Sequence, residues 1–308
     1  MAEIILHQYA TSPYAEIVRT ALGVKGLSWR RIDQPSIMPR PFLTPITGGY
    51  RRIPVMQIGA DIYCDTGVIL REIDRRFPDP PLTSAHASGA VWAMRNWAER
   101  AWFAATVAIV FGARGESVSQ DFIKDREQLS GRSFDVNALK AAAPLMAGQW
   151  RANADIVESQ LAIAGPFLFG PQVTAADLAA YLNIWFLQGG DPGAFARLTA
   201  GMPHLLAWKQ RMAAFGHGNP VDMSAQAAFD AAALSTPQTP TSSVGDDAQG
   251  LAPGMRISVM PDDYGRNPVV GEITYVSPQE VAVRRQADGA GEVVVHFPRA
   301  GFWVTPAT

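Results

Sequence analysis

Ile53-Pro54-Val55-Met56-Gln57-Ile58-Gly59-Ala60-Asp61-Ile62-Tyr63-Cys64-Asp65-Thr66 is the stretch on which the reading of this chain turns. Two apolar runs, Ile53 to Ile58 and Ile62 to Cys64, flank a glycine-containing turn, so the pattern predicts a β-hairpin. Thr66 then stands where it can cap a helix. Ile69, Leu70, Ile73 and Phe77 recur on one face of that helix until Pro78 and Pro80-Pro81 stop it.

Working toward the N-terminus, Ile4 to Tyr9 reads as a short apolar strand broken by Ala10-Thr11-Ser12-Pro13. Ile17, Val18, Ala21 and Leu22 follow at helical spacing. Ser12 is a preferred N-cap, Pro13 suits the first helical position and Gly26 offers a left-handed stop, which predicts a helix over Pro13 to Lys25. A second strand is expected over Ser28 to Ile32. Pro35 to Gly49 is rich in proline and glycine and should be mostly irregular. The first domain, residues 1–80, therefore runs β-α-β, irregular segment, β-β-α.

Working toward the C-terminus, strand signals vanish from Ser84 to about Ala233, where Ala, Leu, Trp and Met dominate; residues 84–233 read as an all-helical domain. Within it Thr174-Ala175-Ala176-Asp177 has the form of a capping box. Residues 234–253 have the composition of a flexible linker. Residues 254–308 hold four or five short β-rich runs separated by turn residues, which predicts a small β barrel. Its Val295, Phe297, Phe302 and Trp303 are more apolar surface than so short a segment encloses alone, so it should dock on the rest of its own chain, as a stabilising module.

The whole chain has 308 residues, enough for two or three domains. With 26 Lys plus Arg against 28 Asp plus Glu, its net charge of −2 offers no field for nucleic acid or an anionic membrane surface. The N-terminus lacks the features of an export signal, and the apolar run from Ala101 to Phe111 is too short to span a membrane. One cysteine, Cys64, permits neither an internal disulfide nor a cysteine metal cluster, and the five histidines are scattered, so no metal site is expected. Cys64 itself reads as a small buried side chain. A cytoplasmic protein is the expectation.

The order of elements, with Tyr9-Ala10-Thr11-Ser12-Pro13-Tyr14, Ile53-Pro54-Val55, Asp65-Thr66 and the Thr174 to Asp177 box, resembles the glutathione S-transferase family over residues 1 to about 230. The resemblance implies an α/β thioredoxin-like domain followed by an all-α domain, here with an extra SH3-like β barrel that ordinary members lack. It implies glutathione as co-substrate, a small electrophile as second substrate, and a homodimer. Ile53, Pro54 and Val55 would hold the peptide of glutathione, with Pro54 cis, and Asp65 and Thr66 its γ-glutamyl carboxylate. Asp65 departs from the family's longer Glu or Gln.

Ser12 would activate the thiol as the hydroxyl nearest the helix start, with Tyr14 next and Tyr9 and Thr11 also candidates. Bringing a thiol from about 8.5 to about 6.5 takes roughly 2.7 kcal/mol of preferential thiolate stabilisation, which a helix N-terminus and one charge-assisted hydrogen bond supply together. No cysteine stands at position 12, which argues against disulfide exchange through an enzyme thiol. The other class of function compatible with the sequence is a glutathione-binding or apo scaffold whose C-terminal barrel recruits a protein partner.

Overall fold

The computed structural model describes residues 3–239 and 241–307; Met1, Ala2, Pro240 in the expected linker and Thr308 lie outside the described residues. The first domain follows the predicted order: β1 (Ile5–Gln8), α1 (Pro13–Val24), β2 (Ser28–Asp33), a short α2 (Leu43–Thr47) inside the proline-rich segment, β3 (Val55–Ile58), β4 (Asp61–Cys64) and α3 (Thr66–Arg76). β1 pairs parallel with β2 and antiparallel with β3, and β3 pairs antiparallel with β4. Ser12 caps α1 as expected, its Oγ accepting from Ala15 N at 3.2 Å. The cap of α3 is a correction. Asp65, not Thr66, is the N-cap, accepting from Gly67 N at 2.8 Å, which leaves the Thr66 hydroxyl free for other work.

The helical domain comprises α4 (Ser88–Trp97), a π-helical turn over Ala98–Trp102, α5 (Phe103–Arg114), α6 (Gln120–Ser130), α7 (Val136–Ala164), α8 (Ala175–Gly190), α9 (Pro192–Leu198) and α10 (Pro203–Ala214). Its core joins Trp102, Trp150 and Trp208 to the inner face of α8 and to Ile17 and Ala21 of α1. Asp177 is a buried fastener: it accepts from the Thr174 backbone at 3.0 Å, the Thr174 hydroxyl at 2.9 Å, Leu168 N at 2.9 Å and Trp208 Nε1 at 3.0 Å. After α10 the chain returns to the sheet as β5 (Asn219–Asp222), parallel to β2, before α11 (Ala225–Ala233).

The last segment holds β6 (Ser242–Ser243), β7 (Arg256–Pro261), β8 (Val269–Val276), β9 (Glu280–Ala287), β10 (Gly291–Pro298) and β11 (Phe302–Pro306). β7 to β10 form an antiparallel meander, with β11 folded back beside β7. β10 pairs parallel with β4, Val294 opposite Asp61, so one sheet runs β11-β7-β8-β9-β10-β4-β3-β1-β2-β5. The segment docks on its own chain. Its Ile257, Val259, Val283, Val295 and Phe297 share a single apolar core with Ile46, Val55, Ile62 and Cys64 of the first domain. The connecting stretch is tied down too: Gln238 N donates to Asp61 at 2.8 Å, the Thr239 hydroxyl donates to the same carboxylate, Val244 N donates to Val276 O at 2.9 Å, and Arg299 pairs with Asp247.

Candidate functional site

Three turns converge on one cavity of about 240 Å³. The first is the Ile53-Pro54 peptide, which is cis and leads into β3. The second is the start of α3. Asp65 stands there at φ 98°, in the left-handed region where side chains other than glycine cost of order 1–3 kcal/mol, and it is held by Gly67 N and by Arg95 Nη2 at 3.3 Å. Gly67 sits in the same crowding, since a Cβ there would lie 3.1 Å from both the Arg95 and the Asp65 side chains.

The third is the π-helical turn after α4, whose extra residue brings Glu99 and Arg100 to the cavity. Arg95, Thr66 and Glu99 form a closed network: Arg95 Nη2 donates to Thr66 Oγ1 at 2.7 Å and to Glu99 Oε2 at 2.8 Å, and the Thr66 hydroxyl donates to Glu99 Oε2 at 2.9 Å. Burial pushes the Glu99 carboxyl up to about 7 even though Arg95 pulls it down. Its Oε1 and the Arg95 Nε are buried without a hydrogen-bond partner among the described residues.

The expected site residues do not all meet there. Ile53, Pro54, Asp65, Thr66 and Tyr14 line the cavity; Ser12 and Val55 do not. Ser12 is 1% exposed, although Ala10 and Thr11 just before it are exposed, and Val55 is wholly buried in β3. Tyr14 donates its phenolic proton to the Glu99 backbone carbonyl at 2.8 Å, and burial raises its pKa well above the ordinary phenol value. Cys64 is buried, which pushes its thiol up as well. Asp263, Tyr264, Ala300, Gly301 and Phe302, from the C-terminal strands, complete the cavity. The expectation that this segment only stabilises the body is thereby corrected: it is also a wall of the site.

Residues 6–81 match the model of the glutathione S-transferase N-terminal domain. Over its full length the chain is 34% identical to a GST-like protein from Pseudomonas syringae, covering 100% of both chains with a TM-score of 0.83. The chain belongs to the glutathione S-transferase-like family. The thioredoxin-like fold with its helical domain recurs at lower identity. A glutathione transferase from Phanerochaete chrysosporium is 18% identical, with 69% of this chain and 97% of that one covered and a TM-score of 0.57. A Sulfitobacter glutathione transferase homologue, solved with bound glutathione, is 18% identical, with 70% and 94% covered and a TM-score of 0.50. No curated protein sequence matches this GST-like chain.

Sequence reasoning missed Arg95, Glu99 and Arg100 in this family member because they lie in a segment that reads only as a buried helix. The Glu99-Arg100 pair just before the apolar run from Ala101 was the available signal. Among the described residues no group of His, Cys, Asp and Glu is placed to hold a metal ion, and no helix is long and apolar enough to cross a membrane.

Proposed function

We propose that this protein binds glutathione in the cavity between Pro54, the start of α3 and the π-helical turn, and presents its thiolate at the start of α1 to a small electrophile. The observation that carries the reading is the convergence of Pro54, Asp65 and Thr66 on one cavity backed by Arg95. A helix N-terminus and a guanidinium with an unspent donor suit a carboxylate, here that of the γ-glutamyl arm. Pro54 and Val55 would lie along the peptide.

For the thiol, Ser12 is the better donor. Its oxygen accepts from Ala15 N, but its own proton is given to no acceptor among the described residues, whereas Tyr14 has committed its proton to Glu99 O. Tyr9, half-buried, and Thr11, exposed, are the remaining hydroxyls. The burial of Ser12 sets a condition: a thiol reaches it only when the residues that cover it move aside. That burial favours the slow conjugation expected on a second reading, a glutathione-binding protein whose C-terminal strands recruit a protein partner.

Calorimetry of the full chain with glutathione, beside a turnover assay with an aryl halide, separates the readings. Heat with turnover supports the transferase, heat without turnover selects the second reading, and no heat at millimolar glutathione rejects both and leaves a scaffold that works without glutathione. Glutathione stays reduced in a cytoplasm, the compartment that a chain with a single buried cysteine suits.

A homodimer belongs to the same proposal. Leu145, Ile156 and Ile163 are exposed on α7 at spacings of about three and two helical turns, so they fall on one stripe of apolar surface that a second copy would cover. Light scattering at 33.2 kDa, the mass of one chain, would exclude it.

A further inference from the structure

The far wall of the cavity comes from the β7–β8 loop and the β10–β11 turn, and it is pinned to the other two domains by arginines. Arg52 donates to the Asp263 carboxylate and to the Tyr264 carbonyl, and its guanidinium lies 3.9 Å from the Tyr264 ring centroid. Arg100 pairs with Asp262 at 2.8 Å. Gly301 stands at φ 89°, a backbone conformation that favours glycine, and lies against Arg100, whose Nη2 would be 2.7 Å from a Cβ at that position. The wall is therefore built into the site.

Its charge has a pattern. Arg52, Arg95 and Arg100 face the cavity together with Asp65, Glu99 and Asp263. Both signs in one small space complement a ligand head that carries both, an α-ammonium beside an α-carboxylate. Arg95, with its unpartnered Nε, and the first turn of α3 serve the carboxylate. On the acidic side Asp65 and Glu99 both share Arg95, and Glu99 Oε2 also takes the Thr66 proton.

Asp263 is differently placed. Its Oδ1 accepts from Tyr264 N at 2.8 Å and from Arg52, while its Oδ2 takes no hydrogen bond among the described residues. Burial would raise this carboxyl, but Arg52 outweighs that and holds it below the usual range, so it is ionised at neutral pH.

We infer that the C-terminal wall reads the amino-acid head of the ligand, Asp263 Oδ2 accepting from the ammonium of the γ-glutamyl arm of glutathione. The inference rests on the glutathione reading above and adds a specificity residue from outside the two domains that the resemblance covers. It gives the extra β segment a part in ligand choice.

The test is calorimetry on the full chain with glutathione and with its desamino analogue, glutaryl-cysteinyl-glycine, for the unaltered protein and Asp263→Asn. The unaltered protein should prefer glutathione by roughly 10-fold or more, the worth of one charge-assisted hydrogen bond. Asp263→Asn should bind both ligands alike, near the affinity of the unaltered protein for the analogue. Equal binding by the unaltered protein, or a preference that survives in Asp263→Asn, overturns the inference and leaves the glutathione reading standing. Binding of neither ligand by the unaltered protein removes both. Should Asp263→Asn fail to fold, crystals of the unaltered chain soaked with glutathione decide: an ammonium within about 3 Å of Asp263 Oδ2 supports the assignment, and one seated on Asp65 or Glu99 overturns it.

Discussion

His296 of β10 places its Nε2 3.2 Å from Asp61 Oδ1 of β4, across the join between the C-terminal strands and the first domain. Its Nδ1 lies 2.7 Å from Glu280, and its ring stacks on Tyr63 at 4.2 Å. Burial alone would lower its pKa, but Asp61 and Glu280 outweigh burial and raise it to about 9. A buried imidazolium between two carboxylates thus fastens the two parts of the sheet.

Stability should therefore depend on pH in two windows. The contribution of His296 is fully present below about 6.5, its unfolded value, and is lost as pH rises through about 9. His7 acts on the other side. Burial lowers it to about 4, against the opposing hydrogen bond from Gln57, so the unfolded chain binds the extra proton between about 4 and 6.5 and stability falls as pH drops through that window. Each effect is worth at most about 3 kcal/mol. Urea unfolding should give a maximum near pH 6.5, and His296→Gln should flatten the alkaline limb while keeping the acid one; an unchanged alkaline limb would show that the triad is not the fastener.

Glutathione affinity should fall as pH rises through about 7. Ionised Glu99 claims Arg95 more strongly and, with Asp65 beside it, repels the incoming carboxylate. S-methylglutathione keeps the thiol out of the titration. Its Kd should weaken severalfold between pH 6 and 8, and Glu99→Gln should remove that dependence. A flat profile in the unaltered protein would mean that Glu99 does not sense the ligand.

Ser12→Ala should lower conjugation of an aryl halide by roughly 10- to 100-fold, the worth of one charge-assisted hydrogen bond, with glutathione affinity nearly unchanged. Tyr14→Phe should cost less, since the Tyr14 proton is already given to Glu99 O. The reverse order of effects, read in the thiolate absorbance near 240 nm and in kcat, would transfer the role to Tyr14.

Ending the chain after Thr236 should do two things at once. It strips β10 from β4, leaving an unpaired strand edge and uncovering Val55, Ile62 and Cys64, so the melting temperature should fall and the protein should aggregate. It also removes Asp263, Tyr264 and Gly301 from the cavity, so glutathione affinity should fall as well. A truncated chain that does not aggregate, melts as before and binds as before would contradict the shared core.

Much of the first domain was legible because short apolar runs bounded by Gly and Pro locate β1, β3, β4 and α1 almost to the residue. β5 was not. Asn219-Pro220-Val221-Asp222 is polar, exposed and carries a proline, and it becomes a strand only because β2 offers it an open edge, a tertiary fact with no local signal. Asp65 and Thr66 were recognisable by place, but their division of labour was hidden. Either can cap a helix, and the choice is made by Arg95 and Glu99, some thirty residues on, which engage the Thr66 hydroxyl. Asp263 and Gly301 were illegible as site residues for a simpler reason: nothing local says that a turn in a C-terminal meander will meet a cavity built around Pro54.

The pairing of β4 with β10 also fixes the order of events on the ribosome. Asp61 and His296 are 235 positions apart, so at about 5–20 residues per second β4 waits roughly 10–50 s after its own synthesis before its partner strand exists. Through that interval the nascent N-terminal domain carries a raw strand edge beside apolar side chains that the finished molecule hides. If that exposed edge limits folding, a faster-elongating host or a chaperone that occupies it should change soluble expression without any change in the stability of the completed chain.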